Sequence, residues 1–424
     1  MKKVLIMSHN VLSPTSSMGK TLISYFHDCE TSDLAQFYIH SEVPTDTLCQ
    51  NYYRVTDKDM IKSIFTRKSG TVLGAQDICT DRTSSRTDTG MTGNIYQKAR
   101  RRTPFIYFAR NLLWSLGRWN TKKLNRWVDE FAPDAIFFAC GDYAFMYKIV
   151  RKIAERRNIP VYICCMDDYY FYNKNQNRFG GKWLHKRFMK QVKKTMSASK
   201  HLFAICDKMT KDYGEYFNIP ASTLHTASSF SGPLPVEKKT NHISYIGNLG
   251  YQRADQLVAL GQALKRLNVP GKPEAIDVYS AEKRPEVLQK LSEENGIHFC
   301  GEINAARVKE VMAESMLLIH TESFNEITRK QVAYSVSTKI ADSLASGTCL
   351  LAYGPAEVAS IQYLIDNHAA KCMTDEAELE SGLTEIILNE GLREEIIQNA
   401  LAMAARNHDG TKVCREVMAK IEQV

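Results

Sequence analysis

Residues 316–354 read MLLIHTESFNEITRKQVAYSVSTKIADSLASGTCLLAYG, and this stretch decides the fold. An apolar run from Met316 to Thr321 leads into a polar segment. A helical repeat follows through Ile340 and Leu344, and Gly347 separates it from a second apolar run, Thr348 to Tyr353. Two short β-rich runs joined by a helix make the repeating unit of a parallel sheet, because parallel strands need a long crossover. Ser337 and Thr338 are helix-capping residue types, so they mark a helix start with the positive end of its dipole, and Lys339 adds a full charge there. Backbone donors, a hydroxyl and an ammonium converging on one place suit a phosphate group. A capped surface helix explains the same residues equally well.

The same alternation runs through the rest of the chain. Strands are expected at Lys3–Ser8, Ala35–His40, Asp134–Cys140, Pro160–Cys165 and His201–Cys206, and again at Ile243–Gly247, Ala275–Ser280, Ile297–Cys300, Met316–Thr321 and Thr348–Tyr353. Between the two sets, Ser231–Asn241 (SGPLPVEKKTN) has two prolines, a glycine and no apolar face, the composition of a linker. The expected organisation is therefore an N-terminal Rossmann-like domain over 1–235 and a C-terminal one over 242–405. A final helix, 406–424, can pack back toward the first. Lys68–Thr92 is polar and reads as a long loop. Open parallel sheets take ligands beyond the carboxyl ends of their strands, so the predicted fold class is α/β, with two parallel-sheet domains facing across a cleft.

Composition narrows the function. The chain has 424 residues, 44% hydrophobic and 24% charged, which excludes wholesale disorder, collagen and coiled coil. No run approaches the ~18 to 20 apolar residues of a spanning helix. The apolar run Val4–Met7 is too short for a signal peptide and reads as a first strand. Eleven cysteines without a C-x-x-C pair suggest reduced thiols and a cytoplasmic location. The net charge of +8 is modest, but from Lys98 to Val128 there are nine Lys or Arg and no Asp or Glu. Interleaved Phe105, Phe108, Leu112, Trp114, Leu116 and Trp119 make this a basic aromatic helix.

Several residues are candidates for chemistry. Gly247 and Gly250 allow a tight strand-to-helix turn with close backbone approach to a ligand, and Arg253 offers a planar fork to a diphosphate. Glu322 leaves the carboxyl end of its strand, where a carboxylate can accept from sugar hydroxyls, and Asp342 can grip the vicinal hydroxyls of a ribose. Gly19-Lys20-Thr21 invites a phosphate-loop reading, but Pro14 stands where that loop needs glycine, so an ATPase is excluded and a small-residue loop remains. Asp57-Lys58-Asp59 has the D-x-D form, yet acids are ordinary at a helix start. Asp88-Thr89-Gly90 occurs once, and an aspartic protease needs two facing acids. Asp167 and Asp168 follow a strand and can touch an acceptor. The histidines show no metal-binding spacing, so no metal is expected.

Taken together, YIGNLGYQRADQL, HFCGEINAARVKEVM and the run from LLIHTESF to STKIADSLASGTCLLAYGP resemble the family 4 glycosyltransferases, retaining enzymes of the GT-B fold. In that family an Arg and a Lys after the corresponding strand hold the donor diphosphate; here Asn248 stands in the Arg place and Arg253 in the Lys place. The family's E-x7-E pattern would put its first glutamate on Tyr334 and its second on Asp342, leaving Glu322 to supply the missing carboxylate. Ser337, Thr338 and Lys339 resemble the phosphate-binding helix start of a subgroup, and Gly19 the loop that closes over donor and acceptor.

The resemblance implies a metal-independent hexosyltransferase, with the domain over 1–235 on the acceptor side and the one over 242–405 on the nucleotide-sugar side. It would use a UDP- or GDP-linked sugar as co-substrate, with no other cofactor, and a glycan or lipid-linked glycan as acceptor in cell-surface polysaccharide synthesis. Glu322, Lys339 and Arg253 would be its catalytic groups. The basic stretch 98–128 would then meet an anionic membrane, making the protein peripheral on the inner face of the plasma membrane. Nucleic acid is not an expected partner, since no recognition module accompanies the charge. A nucleotide-sugar epimerase or phosphorylase on the same fold, or an inactive sugar-binding protein, are the alternatives.

Overall fold

The computed structural model describes residues 1–14, 16–79 and 103–423, so Asp88-Thr89-Gly90 and Lys98 to Arg102 lie outside the described residues. Two compact units divide the chain, Met1–His225 with Val413–Val424, and Thr226–Lys412.

The first unit holds an eight-stranded sheet built from β1 (Val4–Ser8), β2 (Leu34–Tyr38), β3 (Tyr52–Arg54), β4 (Thr71–Leu73), β5 (Ala135–Ala139), β6 (Val161–Cys165), β7 (His201–Ala204) and β8 (Ala221–Thr223). Its order is β4-β3-β2-β1-β5-β6-β7-β8, parallel except for the β3–β4 pair. All five residues of VLIMS, AIFFA and VYICC are buried, as expected of strands covered by helices on both faces. The second unit holds β9 (Ile243–Ile246), β10 (Ile276–Tyr279), β11 (Ile297–Gly301), β12 (Leu317–Thr321), β13 (Cys349–Tyr353) and β14 (Lys371–Met373). They are all parallel, in the order β11-β10-β9-β12-β13-β14. Each sheet reverses its strand order beside its own first strand, the doubly wound arrangement that opens a crevice at the strands' carboxyl ends.

Both faces of the second sheet are packed. Leu257, Leu260 and Leu264 of the helix Arg253–Arg266 cover one side, with Ile243, Val278 and Leu351. Ile340 and Leu344 of the helix Thr338–Ala345 cover the other, with Leu318, Leu350 and Ala352. Truncating one of these leucines to alanine would cost about 2–5 kcal/mol.

Three expectations are corrected. The unit boundary falls at His225–Thr226 rather than in Ser231–Asn241, because that segment is bonded into the second unit: Leu234 N donates to Ser346 O and Thr240 N to Glu314 O. The closing segment of the first unit begins at Val413, and there Cys414 Sγ lies 3.8 Å from Cys29 Sγ. The basic aromatic stretch is two helices, Pro104–Leu116 and Lys122–Phe131, because Gly117 ends the first and Thr121 caps the second. Its tryptophans are core: Trp114 donates to Asp57 Oδ1 at 2.7 Å and Trp127 to Asn51 Oδ1 at 2.5 Å.

Candidate functional site

A pocket of about 590 Å³ lies in the second unit at the carboxyl ends of β9, β10 and β11. Gly247, Asn248 and Gly250 form one wall, Tyr279, Ser280 and Glu282 a second, and Glu302, Ile303 and Val308 a third; Lys339 reaches it from the helix Thr338–Ala345. Four of the residues singled out from sequence therefore line one cavity. The glycine wall is set by an Asx turn, in which Gly250 N donates to Asn248 Oδ1 at 2.5 Å while Tyr245 OH donates to the Asn248 carbonyl at 2.7 Å. Asn248 thus shapes the loop and carries no charge to a diphosphate. At the opposite wall Arg284 binds Glu282 through both carboxylate oxygens, and those bonds hold the Glu282 carboxyl down at about 2.

The helix carrying Lys339 starts as the sequence predicts. Ser337 is its cap, accepting from Lys339 N at 3.3 Å, and Lys339 is an exposed side chain in the first turn. Thr338 is the first helical residue and Gly347, at φ 76°, follows the helix end.

Arg253 and Glu322 meet each other instead of lining the pocket. Arg253 Nη2 donates to Glu322 Oε1 at 2.7 Å, and its Nε to Oε2 and to the Thr321 carbonyl, each at 3.2 Å. Burial pushes the Glu322 carboxyl up, and the Arg253 guanidinium opposes it; for Arg253, burial works against its charge and Glu322 outweighs it. The two-pronged geometry makes the ion pair the form that stands at neutral pH. Beside it His320 is kept neutral, at about 3, by burial and by Arg253, and hydrogen-bonds Ser360 Oγ at 3.0 Å. The expected contact between Glu322 and sugar hydroxyls is not what its 1% exposure permits.

Two other candidates lie away from the pocket lining. Asp342 Oδ1 accepts from Ser229 N at 2.7 Å, which fastens the start of the unit, and Asp342 does not line the pocket. Tyr334 is half-buried between the helices Glu326–Val332 and Thr338–Ala345 and does not line the pocket.

In the first unit Gly19 lies inside the helix Ser17–Phe26, with its N–H spent on Ser16 Oγ. A Cβ there would stand 2.4 Å from the Ser13 carbonyl, so the glycine permits a close approach of backbone to backbone. Asp168 accepts from the amides of Tyr170, Phe171 and Tyr172 at 2.9 to 3.0 Å and from Tyr213 OH, so it organises its own loop. Asp167 is exposed and accepts from Tyr169 OH at 3.3 Å. The D-x-D acids cap a helix: Asp59 completes a capping box with Thr56, and Asp57 binds Arg110.

Sequence reasoning missed a cluster where the first sheet reverses its order, beyond β1 and β5. His9 stacks on Tyr143 at 5.3 Å, and the Arg110 guanidinium lies 4.1 Å above the same ring. Tyr107 donates to Asp142, which also meets Lys174 at 3.4 Å. Burial, with Arg110 nearby, keeps His9 neutral, at about 4. The signal lay in HN after β1 and GDY after β5, both at carboxyl ends of expected strands.

Residues 255–419 match the family model described as "Glycosyl transferase-like". No curated protein matches the sequence. Among solved structures the chain is similar over its whole length to HepE from Anabaena, solved in complex with UDP, at 11% identity and a TM-score of 0.62, covering 100% of both chains. An α,α-trehalose-phosphate synthase (UDP-forming) from Burkholderia vietnamiensis is similar at 12% identity and 0.58, again with 100% of each chain covered. Sucrose-phosphate synthase from Thermosynechococcus elongatus is similar at 9% and 0.60, covering 100% of this chain and 99% of that one.

Proposed function

We propose that this chain is a GT-B glycosyltransferase that moves a sugar from a UDP-sugar to a glycan or lipid-linked glycan acceptor with retention of configuration, a reading supported by the family-model match and by structures of the same fold described with UDP. The observation that carries the reading is the pocket at the carboxyl ends of β9, β10 and β11, with Lys339 and a capped helix start at one wall. The diphosphate sits at that wall, where the dipole and the ammonium neutralise the charge that develops as the nucleotide departs. Ile303, Val308 and Tyr279 offer apolar surface to the base, and Glu302 a carboxylate to ribose hydroxyls. UDP is favoured because structures of the same fold are described with UDP or as UDP-forming. On the front-face route the leaving phosphate helps to take the acceptor's proton, so no dedicated base is required. The acceptor sugar binds at the carboxyl edge of the first sheet, by His9, Asp142 and Tyr107.

The acceptor's lipid end accounts for an exposed apolar face on the first unit. Phe105, Phe108, Leu112 and Leu116 stand out along the helix Pro104–Leu116, with Trp183 6.4 Å from Phe108 between ring centroids and Arg187 over Trp183. Aromatic residues flanked by basic ones suit an anionic bilayer surface. No helix among the described residues is long and apolar enough to cross a membrane.

The mutual commitment of Arg253 and Glu322 favours one second reading, a protein that binds the nucleotide sugar without transferring it. Release of UDP from a UDP-sugar, with and without glycan acceptor, separates the two. Acceptor-dependent release supports transfer; binding with no release under either condition supports the second reading.

A further inference from the structure

Among the described residues, a group with ligands of mixed hardness lies on the second sheet, outside the catalytic reading above. Asp277 of β10 and His298 of β11 are paired in register, and His242 stands two residues before Ser244, which pairs with Asp277 from β9. Cys300 follows His298 by two residues, at the point where the register of β11 shifts against β10, and its thiol lies beside the His298 ring. His298 Nδ1 lies 3.0 Å from Asp277 Oδ1, and Cys300 Sγ lies 3.9 Å from His298 Nδ1. The donor atoms of Asp277, His298 and Cys300 all fall within 4.8 Å of one another. Bonds of about 2.0–2.3 Å to a tetrahedral ion place its ligands roughly 3.3–3.8 Å apart, so only small side-chain movements are needed.

We propose that Asp277, His298 and Cys300 bind a divalent transition metal of the zinc class on the edge strand of the second sheet, with His242 as the residue that orients the carboxylate. His242 Nδ1 lies 2.5 Å from Asp277 Oδ2, the oxygen turned away from His298, which is the placement of a hydrogen-bonded partner behind a ligating carboxylate. Asp277 is buried while His298 and His242 are each 59% exposed, so the ion enters from solvent onto a fixed anchor. Carboxylate, imidazole and thiolate together select zinc-like ions over magnesium or calcium. Three protein ligands leave a fourth position to water. The bound ion ties the unpaired edge β11 to β10. Spacing could not show the site, because its ligands come from two strands, β10 and β11, and the orienting His242 from a third segment before β9, which only the parallel register aligns. A second group, His27 and Asp28 beside Cys414, is the weaker candidate, since that thiol already faces Cys29.

Binding requires the Cys300 thiolate, so one proton leaves as the ion binds and affinity rises with pH. The test titrates the chelator-treated full chain with Co²⁺ and then displaces it with Zn²⁺. The expected result is saturable binding with visible bands of a tetrahedral ion and a near-ultraviolet thiolate-to-cobalt band. Cys300→Ser should remove the thiolate band, and His298→Ala should abolish saturable binding. His242→Ala should weaken binding by about 10–100-fold. Each variant is first shown to keep the wild-type circular dichroism, and the near-isosteric Cys300→Ser supplies a readout even where the others fail to fold. Absence of saturable binding, or a thiolate band that survives Cys300→Ser and disappears in Cys414→Ser, overturns the proposal.

Discussion

The Arg253 guanidinium closes on the Glu322 carboxylate with two hydrogen bonds, of 2.7 and 3.2 Å, around an acid that is 1% exposed. The pair ties the carboxyl end of β12 to the first residue of the helix Arg253–Arg266, just after Tyr251 and Gln252 at φ 58° and 59°. It therefore fixes one border of the loop that forms the glycine wall of the pocket.

Removing one member strands the other. Arg253→Ala leaves a buried carboxylate without its counter-charge and should destabilise the second unit by about 3–5 kcal/mol, whereas replacing both residues with apolar ones of similar size should cost much less. Urea unfolding followed by fluorescence measures this, and a change in Arg253→Ala below about 0.5 kcal/mol would show that the pair is not a structural one.

Gly19→Ala tests whether that glycine serves packing. Its Cβ would press on the Ser13 backbone, so a loss of about 1–3 kcal/mol is expected, with UDP affinity unchanged. Full stability with weakened UDP binding would return Gly19 to a ligand-contacting role.

Acid should unfold the protein through its buried histidines. His9, His201 and His408 are held at about 4 and His320 at about 3, below the ordinary 6.5, chiefly by burial. The folded state binds fewer protons than the unfolded state between those values, so stability is complete above about pH 6.5 and is lost as pH falls toward 4. Each histidine contributes a slope of up to about 1.4 kcal/mol per pH unit. Denaturant midpoints measured across this window should fall with pH, and less steeply in His320→Asn. A flat profile would mean that these side chains are already protonated in the fold.

Phe105→Glu with Phe108→Glu should lower binding to vesicles rich in anionic lipid while leaving UDP binding intact, because both rings are exposed and lie in the other unit from the pocket. Vesicle flotation reads the outcome, and undiminished binding removes this face from the account.

Much of the fold was legible. The ten expected strands all exist, because buried parallel strands are written as continuous apolar runs such as VLIMS and CLLAY. The four that were missed, β3, β4, β8 and β14, have three residues each, too short for a periodic signal. β4 lies inside the expected long loop Lys68–Thr92. The site was legible where the backbone makes it: the glycine turn after β9 and the capped helix start at Ser337 were read directly. It was illegible where a side chain's partner decides its role. Nothing in the sequence shows that Arg253 spends its fork on Glu322, that Asp342 fastens Ser229, or that Asp168 gathers three amides, since each bond depends on which loops fold together.

If the pocket beneath Lys339 holds the donor diphosphate, calorimetric titration of the full chain with UDP, GDP, ADP and CMP will show it. Selective binding of UDP is expected, weakened roughly 10- to 100-fold in Lys339→Ala, as loss of a charge-assisted bond of about 1.5–3 kcal/mol implies. Equal UDP affinity in Lys339→Ala, or no binding of any of these nucleotides by the folded protein, would contradict it.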